Sequence, residues 1–442
     1  MTSYKPIGAL LALMCAWQPA IVEAADDVAT LRAELQALKS EYAARVGALE
    51  ARIGQLESAP AFPVPAPEPA SATGARSSAT AFNPAISLIL AATYTSTSRD
   101  PGDWGIGGFI PSGGEVGPGE RSFSLGESEL ALTSNVDPYF SATLIAAIAG
   151  EDEIGVEEAY FRTLALPSGF TAKGGRFFSS LGYLNEVHAH AWDFADQPLV
   201  YQAFFGNQLA QDGLQVKWLA PTNLFIELGA EGGNGQAFPG TRRNRNALNG
   251  GTLFAHVGGD AGERATWRGG VSWLEQHAED RSFEDVNDAG DPVLNAFTGT
   301  SRTWVADATL KWAPTGNSAY QQLKVQGEYV RRKESGELSF DAEGLGIAGV
   351  YRSRQSGWYL QSVFQFRPRW RAGLRYDALD SGSRRIAADP ERTTLMLDWN
   401  PSEFSRLRAQ YAWDDARASG DRDRQFRLQY LFGIGAHGAH KY

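Results

Sequence analysis

Cysteine is nearly missing from this 442-residue chain; the single one is Cys15. It falls in residues 1–24, which read as an export signal, so the mature chain is expected to hold no disulfide and no thiolate metal site. Met14 stands before Cys15, where a lipid-attachment signal wants a small residue. No uncharged apolar run reaches the roughly 18 residues that a membrane-crossing helix needs. A basic excess is missing too. The formal charge of −11 argues against nucleic acid as a partner, because phosphate binding needs a cationic face. HExxH, GxSxG and P-loop patterns are absent. The two GxGxxG matches, Gly344 to Gly349 and Gly433 to Gly438, do not open the βαβ unit that a dinucleotide site requires. Nothing nominates an enzyme, and no cofactor is called for.

What is present has a different character. Glycine is generous (48), and aromatic residues make up 11%. That mixture suits a β-barrel, with its turn glycines and aromatic girdles. In the signal, Lys5 supplies the positive charge, Ile7 to Trp17 the apolar core, and Val22-Glu23-Ala24 the cleavage site. Residues 25–58 have a helical pattern, with Val28, Leu31, Leu35, Leu38 and Tyr42 at alternating spacings of three and four. Val46, Leu49, Ile53 and Leu56 resume it after a four-residue stutter, which predicts a periplasmic coiled coil and hence a homo-oligomer. Residues 59–81 are rich in Pro, Ala and Ser and read as an extended linker. The last domain is expected over 82–442.

There the period is two. Leu395, Leu397 and Trp399 share one face, while Thr394, Met396, Asp398 and Asn400 share the other. Phe426, Leu428, Tyr430, Phe432 and Ile434 line one side of the last segment, and the chain ends on Tyr442, another aromatic. A soluble sandwich and a lipid-embedded barrel both produce this rhythm. The connections separate them. Sixteen strands are expected, starting near residues 85, 121, 138, 154, 169, 212, 222, 249, 264, 302, 321, 357, 369, 391, 404 and 424. Short turns such as Pro167-Ser168-Gly169, Pro221-Thr222-Asn223 and Pro401-Ser402-Glu403 alternate with longer connections. The long ones are 99–120, 179–211, 232–248, 277–301 and 333–356. Short turns at one end and long loops at the other predict an all-β transmembrane antiparallel barrel of about 16 strands in the bacterial outer membrane.

With its long 179–211 segment between strands five and six, the chain resembles the sixteen-stranded porins over roughly residues 82–442. The resemblance implies that this segment folds into the lumen as a constriction loop. The coiled coil and spacer resemble those of phosphate-selective-type porins. Phe82-Asn83-Pro84, the run Asn185 to Phe194, and Gly438-Ala439-His440 resemble proteobacterial barrels labelled zinc-linked or TonB-dependent outer-membrane receptors. Those receptors carry about 22 strands and a plugged lumen; here a coiled coil and linker stand in the place of the plug domain.

Arg369, Arg371, Arg375, Arg406, Arg408 and Arg427 are expected on inward faces of the last strands. Glu127, Glu129, Glu157 and Glu158 belong to the early ones, the facing of the last two being ambiguous. Charged walls sort ions by sign, or the charges simply pair with one another. In the loop, His188 and His190 stand close to Glu186, Asp193 and Asp196, a set that can hold a divalent metal such as zinc. His437 and His440 form a second pair. Trp192, Phe194, Tyr201, Phe204 and Phe205 are expected to pack the loop against the wall, a sugar-stacking platform being the alternative. The function expected is passive diffusion of small solutes or ions. The alternatives are a divalent-metal receptor and a structural envelope tether.

Overall fold

The computed structural model describes residues 84–112, 116–148, 154–241, 243–287, 289–383 and 389–435, together with Gln36. The expected signal and linker, the coiled coil apart from Gln36, and the pair His437 and His440 lie outside the described residues.

The strands close into one antiparallel barrel. β1 (Ala85–Thr97) is followed by β2, which runs in two pieces, Ser122–Leu125 and Ser128–Asn135. Both pieces pair with β1, so seventeen segments fill sixteen places. β3 (Phe140–Ile148), β4 (Ile154–Thr163) and β5 (Phe170–Phe178) come next. After the long insertion stand β6 (Ala210–Leu219), β7 (Phe225–Gly233) and β8 (Gly250–Asp260). Four tall strands follow: β9 (Ala265–Val286), β10 (Pro292–Trp312), β11 (Gln322–Phe340) and β12 (Ile347–Arg367). β13 (Trp370–Asp380), β14 (Glu391–Ser402), β15 (Ser405–Asp414) and β16 (Asp423–Gly435) complete the wall. β16 returns to β1 in a register running from Ser87↔Gly435 to Thr97↔Gln425. Among the described residues each of the sixteen strands pairs with a neighbour on both sides, as a sheet in hydrocarbon requires.

The two-residue rhythm resolves as a lipid-facing exterior. Leu395, Leu397 and Trp399 are exposed, while Thr394, Met396 and Asp398 between them are buried. Phe426, Leu428, Tyr430, Phe432 and Ile434 are likewise exposed. Outward aromatics form two bands. Trp304, Tyr329, Trp358 and Phe426 lie toward the long-loop end, and Trp312, Phe364, Trp399 and Phe432 toward the turn end. From Trp304 to Trp312 is about 27 Å of strand at ~3.4 Å per residue, close to the ~25 Å apolar band of such barrels.

Two expected loops are mostly strand. The segments expected to start at 302 and 357 begin at Pro292 and Ile347. The hairpins close only at 287–291 and 341–346, so 277–301 and 333–356 belong largely to β9–β12. The ladder continues beyond the apolar band, where polar residues occupy both faces, as in the Arg302–Glu275 pair at 2.6 Å. Hydrophobic alternation fades there while backbone pairing does not. The Gly344 to Gly349 match is part of this tip and the start of β12.

Candidate functional site

Residues 179–209 lie inside the barrel. Their neck is closed by Ser179 N–H donating to Leu209 O at 2.9 Å. The Asn185 amide staples it, donating to both Ser179 O and Leu209 O at 2.8 and 3.0 Å and accepting from Leu209 N–H. Within the stretch, α1 spans Leu199–Phe205. Pro198 precedes it and Gly206, at φ 62°, ends it in the left-handed conformation that glycine tolerates. All seven residues of α1 are buried. Leu199, Val200, Tyr201, Phe204 and Phe205 pack on Leu274, Val305, Val330 and Leu379 of the wall. Phe194 packs on Val363 and Met396, and Trp192 lies against the larger cluster. These aromatics pack the loop against the wall, as expected of a segment held inside a barrel.

The charges of the loop are sorted by wall. Asp193 takes Lys324 and Arg371, each at 2.9 Å. Asp196 takes Arg375 at 2.8 Å, Arg427 at 2.7 Å and Arg392 at 3.2 Å. Burial opposes ionisation of both carboxyls, but the surrounding cations outweigh it and hold them below the usual carboxylate range. Arg408 donates to Trp192 O at 2.7 Å, and Arg406 to His190 O and Trp192 O at 3.2 Å each. Arg371 and Arg408 also pair with Asp398 on the wall. Arg369 is different. It sits exposed in the β12–β13 turn at φ 70°, not on an inward strand face. Pro368 and Arg369 make that turn, so the alternation expected of β13 starts one residue later.

The histidines go to the early strands, on the other side of β1 from Arg427. His188 Nε2 lies 3.0 Å from Glu158, and its Nδ1 lies 3.2 Å from Glu157 and 3.5 Å from Glu129. His190 Nδ1 is 2.8 Å from the other Glu129 oxygen, and the two imidazoles stack at 6.0 Å. Burial opposes charge on His188, but Glu157 and Glu158 outweigh it and raise its pKa well above the ordinary histidine range. The ambiguity over Glu157 and Glu158 has a structural cause. The β3–β4 register shifts after Ile145↔Glu158, so Ala146 faces Val156 and Glu157 is the extra residue of a bulge. A bulge lets two consecutive side chains reach one side. Glu186, Asp193 and Asp196, expected around the histidines, point elsewhere. Glu186 accepts from Ser180 Oγ at 2.6 Å and Lys217 at 3.2 Å. Glu127 borders the space beside the loop.

Two further carboxylates hold the loop without having been legible beforehand. Glu328 accepts from Tyr201 and Tyr359 hydroxyls at 2.9 and 2.8 Å and from the Leu184 amide at 3.0 Å. Gly182, at φ 63°, makes room for it; a Cβ there would collide with the Glu328 carboxylate. Glu231 accepts from Ser179 Oγ and the Ser180 amide at 2.5 and 2.8 Å. Each is one inward polar residue among many, with no local signal to mark it.

Space remains around the loop. A cavity of about 1040 Å³ opens at the long-loop end, bordered by Trp104, Phe109, Tyr351 and Arg417. A second, of about 340 Å³, lies between the loop and the β1–β2–β16 wall, bordered by Glu127, His190, Asp196, Arg427 and Gln429. Val116 borders both. A third, of about 50 Å³, shares His190 with the second and reaches Arg406 and Phe404. At the turn end a space of about 760 Å³ is bordered by Tyr183, Trp267, Arg268 and Lys311.

No family model matches the chain. An uncharacterized protein of Aquifex aeolicus (strain VF5) is 33% identical over 399 residues, which is 82% of this chain and 80% of that one. Among solved structures, a loop L8 deletion mutant of OmpT, an outer membrane protein of Vibrio cholerae, aligns with a TM-score of 0.50 at 12% identity. It covers 79% of this chain and 98% of its own. An anion-selective porin from Comamonas acidovorans gives 0.49 at 10% identity, covering 79% and 99%. At 12% identity the likeness to the OmpT mutant speaks for the barrel fold alone.

Proposed function

Since the chain belongs to one family with the Aquifex aeolicus protein and folds as a closed sixteen-stranded transmembrane barrel, we propose that it is an outer-membrane channel for passive diffusion of small solutes or ions. The observation that carries this reading is the series of spaces beside residues 179–209, of which the first two share Val116 in their lining and the last two His190. The loop narrows the lumen rather than filling it, and the route runs along the β1–β2–β16 wall. Its lining is polar and charged, so it suits hydrophilic solutes. The arginines serve first as anchors, because Arg371, Arg375, Arg392 and Arg408 are matched by Asp193, Asp196, Asp377 and Asp398. Arg427 and Arg406 border the route and carry the ion preference. Purified full-length protein in planar bilayers should give discrete single-channel currents, with reversal potentials in a salt gradient reporting the sign. A correctly inserted barrel that stays silent would overturn the channel reading and favour a structural role in the envelope.

A further inference from the structure

We propose that Glu129, Glu157 and Glu158 of the wall, with His188 and His190 of the loop, form a binding site for a transition-metal dication of the zinc type that latches the loop to strands β2 and β4. The donors converge from separate parts of the chain. Glu129, Glu157 and His188 each offer a ligand atom, and these atoms lie within 4.8 Å of one another. An ion about 2.1 Å from each donor places its donors roughly 3.4–4.2 Å apart, so small side-chain rotations complete the set. Glu158 and His190 stand next to it, 3.0 Å from His188 and 2.8 Å from Glu129.

The charge balance asks for a cation. Three carboxylates meet one imidazole in a buried place, and Glu127 reaches Glu157 as well. Among the described residues, no lysine or arginine makes an ion pair with Glu129, Glu157 or Glu158; Lys173 acts on Glu158 only through space. The late strands are built otherwise, since each loop aspartate there has at least two cations. Buried negative charge is costly unless it is balanced. The bulge at Glu157 adds to this. It spends a backbone irregularity to bring a second carboxylate to the same imidazole. Oxygen and imidazole donors without thiolate suit zinc or manganese, and the imidazoles distinguish the site from one made for calcium or magnesium. His190 also borders the solute route, so an ion there reaches the site from the lumen.

The test is calorimetric titration of zinc chloride into full-length protein in detergent, with His437 and His440 replaced by alanine. One saturable site is expected, and calcium or magnesium at the same concentration should not fill it. His188→Asn with Glu157→Gln should weaken binding by at least the ~10–100-fold that loss of a supporting group costs a metal site, while Glu186→Gln leaves it unchanged. Cobalt(II) added to the unsubstituted protein needs no variant and should show the absorption bands of nitrogen and oxygen coordination. Absence of saturable zinc binding, equal binding of calcium, or unaltered affinity in the double variant would overturn the site. Channel currents without zinc binding would remove this proposal alone; zinc binding by a silent barrel would remove the channel alone.

Discussion

Asp196 is the most heavily engaged side chain of the loop, with guanidinium groups from β13, β14 and β16 around one carboxylate. Arg375 and Arg392 are also nearly inaccessible to solvent. Removing one partner from a buried ion pair strands the other, which costs about 3–5 kcal/mol. Asp196→Asn should therefore loosen the loop and raise single-channel conductance, with the barrel still closed by β1 and β16. Unchanged conductance would show that the apolar anchors alone hold the loop. The sign of the pH effect follows from the same residues. Asp193 and Asp196 are held below the ordinary carboxylate range. Their contribution is thus whole above about pH 4 and is lost only as pH falls through their depressed values. Conductance should show no loop release between pH 7 and about 4. Opening within that window would mean that another group governs the loop.

At the scale of the element, α1 works as an apolar plug fastener. Its buried face meets Leu274, Val305 and Val330, inward residues of β9, β10 and β11 that are apolar where a wet lumen would otherwise carry polar ones. Phe204 also lies under Arg332, whose guanidinium carbon is 4.8 Å from the ring centroid. Phe204→Ala should cost about 3–5 kcal/mol of local stability. Limited proteolysis should then cleave within residues 179–209, which the unsubstituted barrel protects. The charged contacts and α1 hold different parts of the loop. Asp196→Asn and Phe204→Ala together should therefore release it more than either alone.

The whole molecule depends on which face meets lipid. Leu395 lies near the middle of β14 and is exposed on the outer face. Leu395→Arg should reduce folding stability in lipid vesicles by about 2–4 kcal/mol, the cost of a basic side chain at the bilayer midplane of a barrel. Equilibrium urea titration with vesicles checks this. A cost below about 0.5 kcal/mol, ordinary for a surface substitution in water, would place Leu395 outside hydrocarbon. The closed registry between β1 and β16 also puts both ends of the barrel on the turn side, because the number of strands is even.

The strand pattern was legible because alternation is a local property of the backbone, and lipid on one side with a wet lumen on the other imposes it residue by residue. Fourteen of the expected strand starts fall within a few residues of those in the structure; the starts near 302 and 357 do not. Those two failed where the hairpins rise beyond the apolar band and hydrophobicity stops reporting on pairing. The position of the loop and its aromatic anchors could be read from length and composition. Its charge partners could not. Which carboxylate meets which histidine depends on barrel closure, on the bulge that turns Glu157 and Glu158 the same way, and on a loop path that divides His188 from Asp196. The histidine contacts join residues 30 to 61 positions apart, and Asp193 and Asp196 reach cations more than a hundred positions away, so only packing in three dimensions sets them.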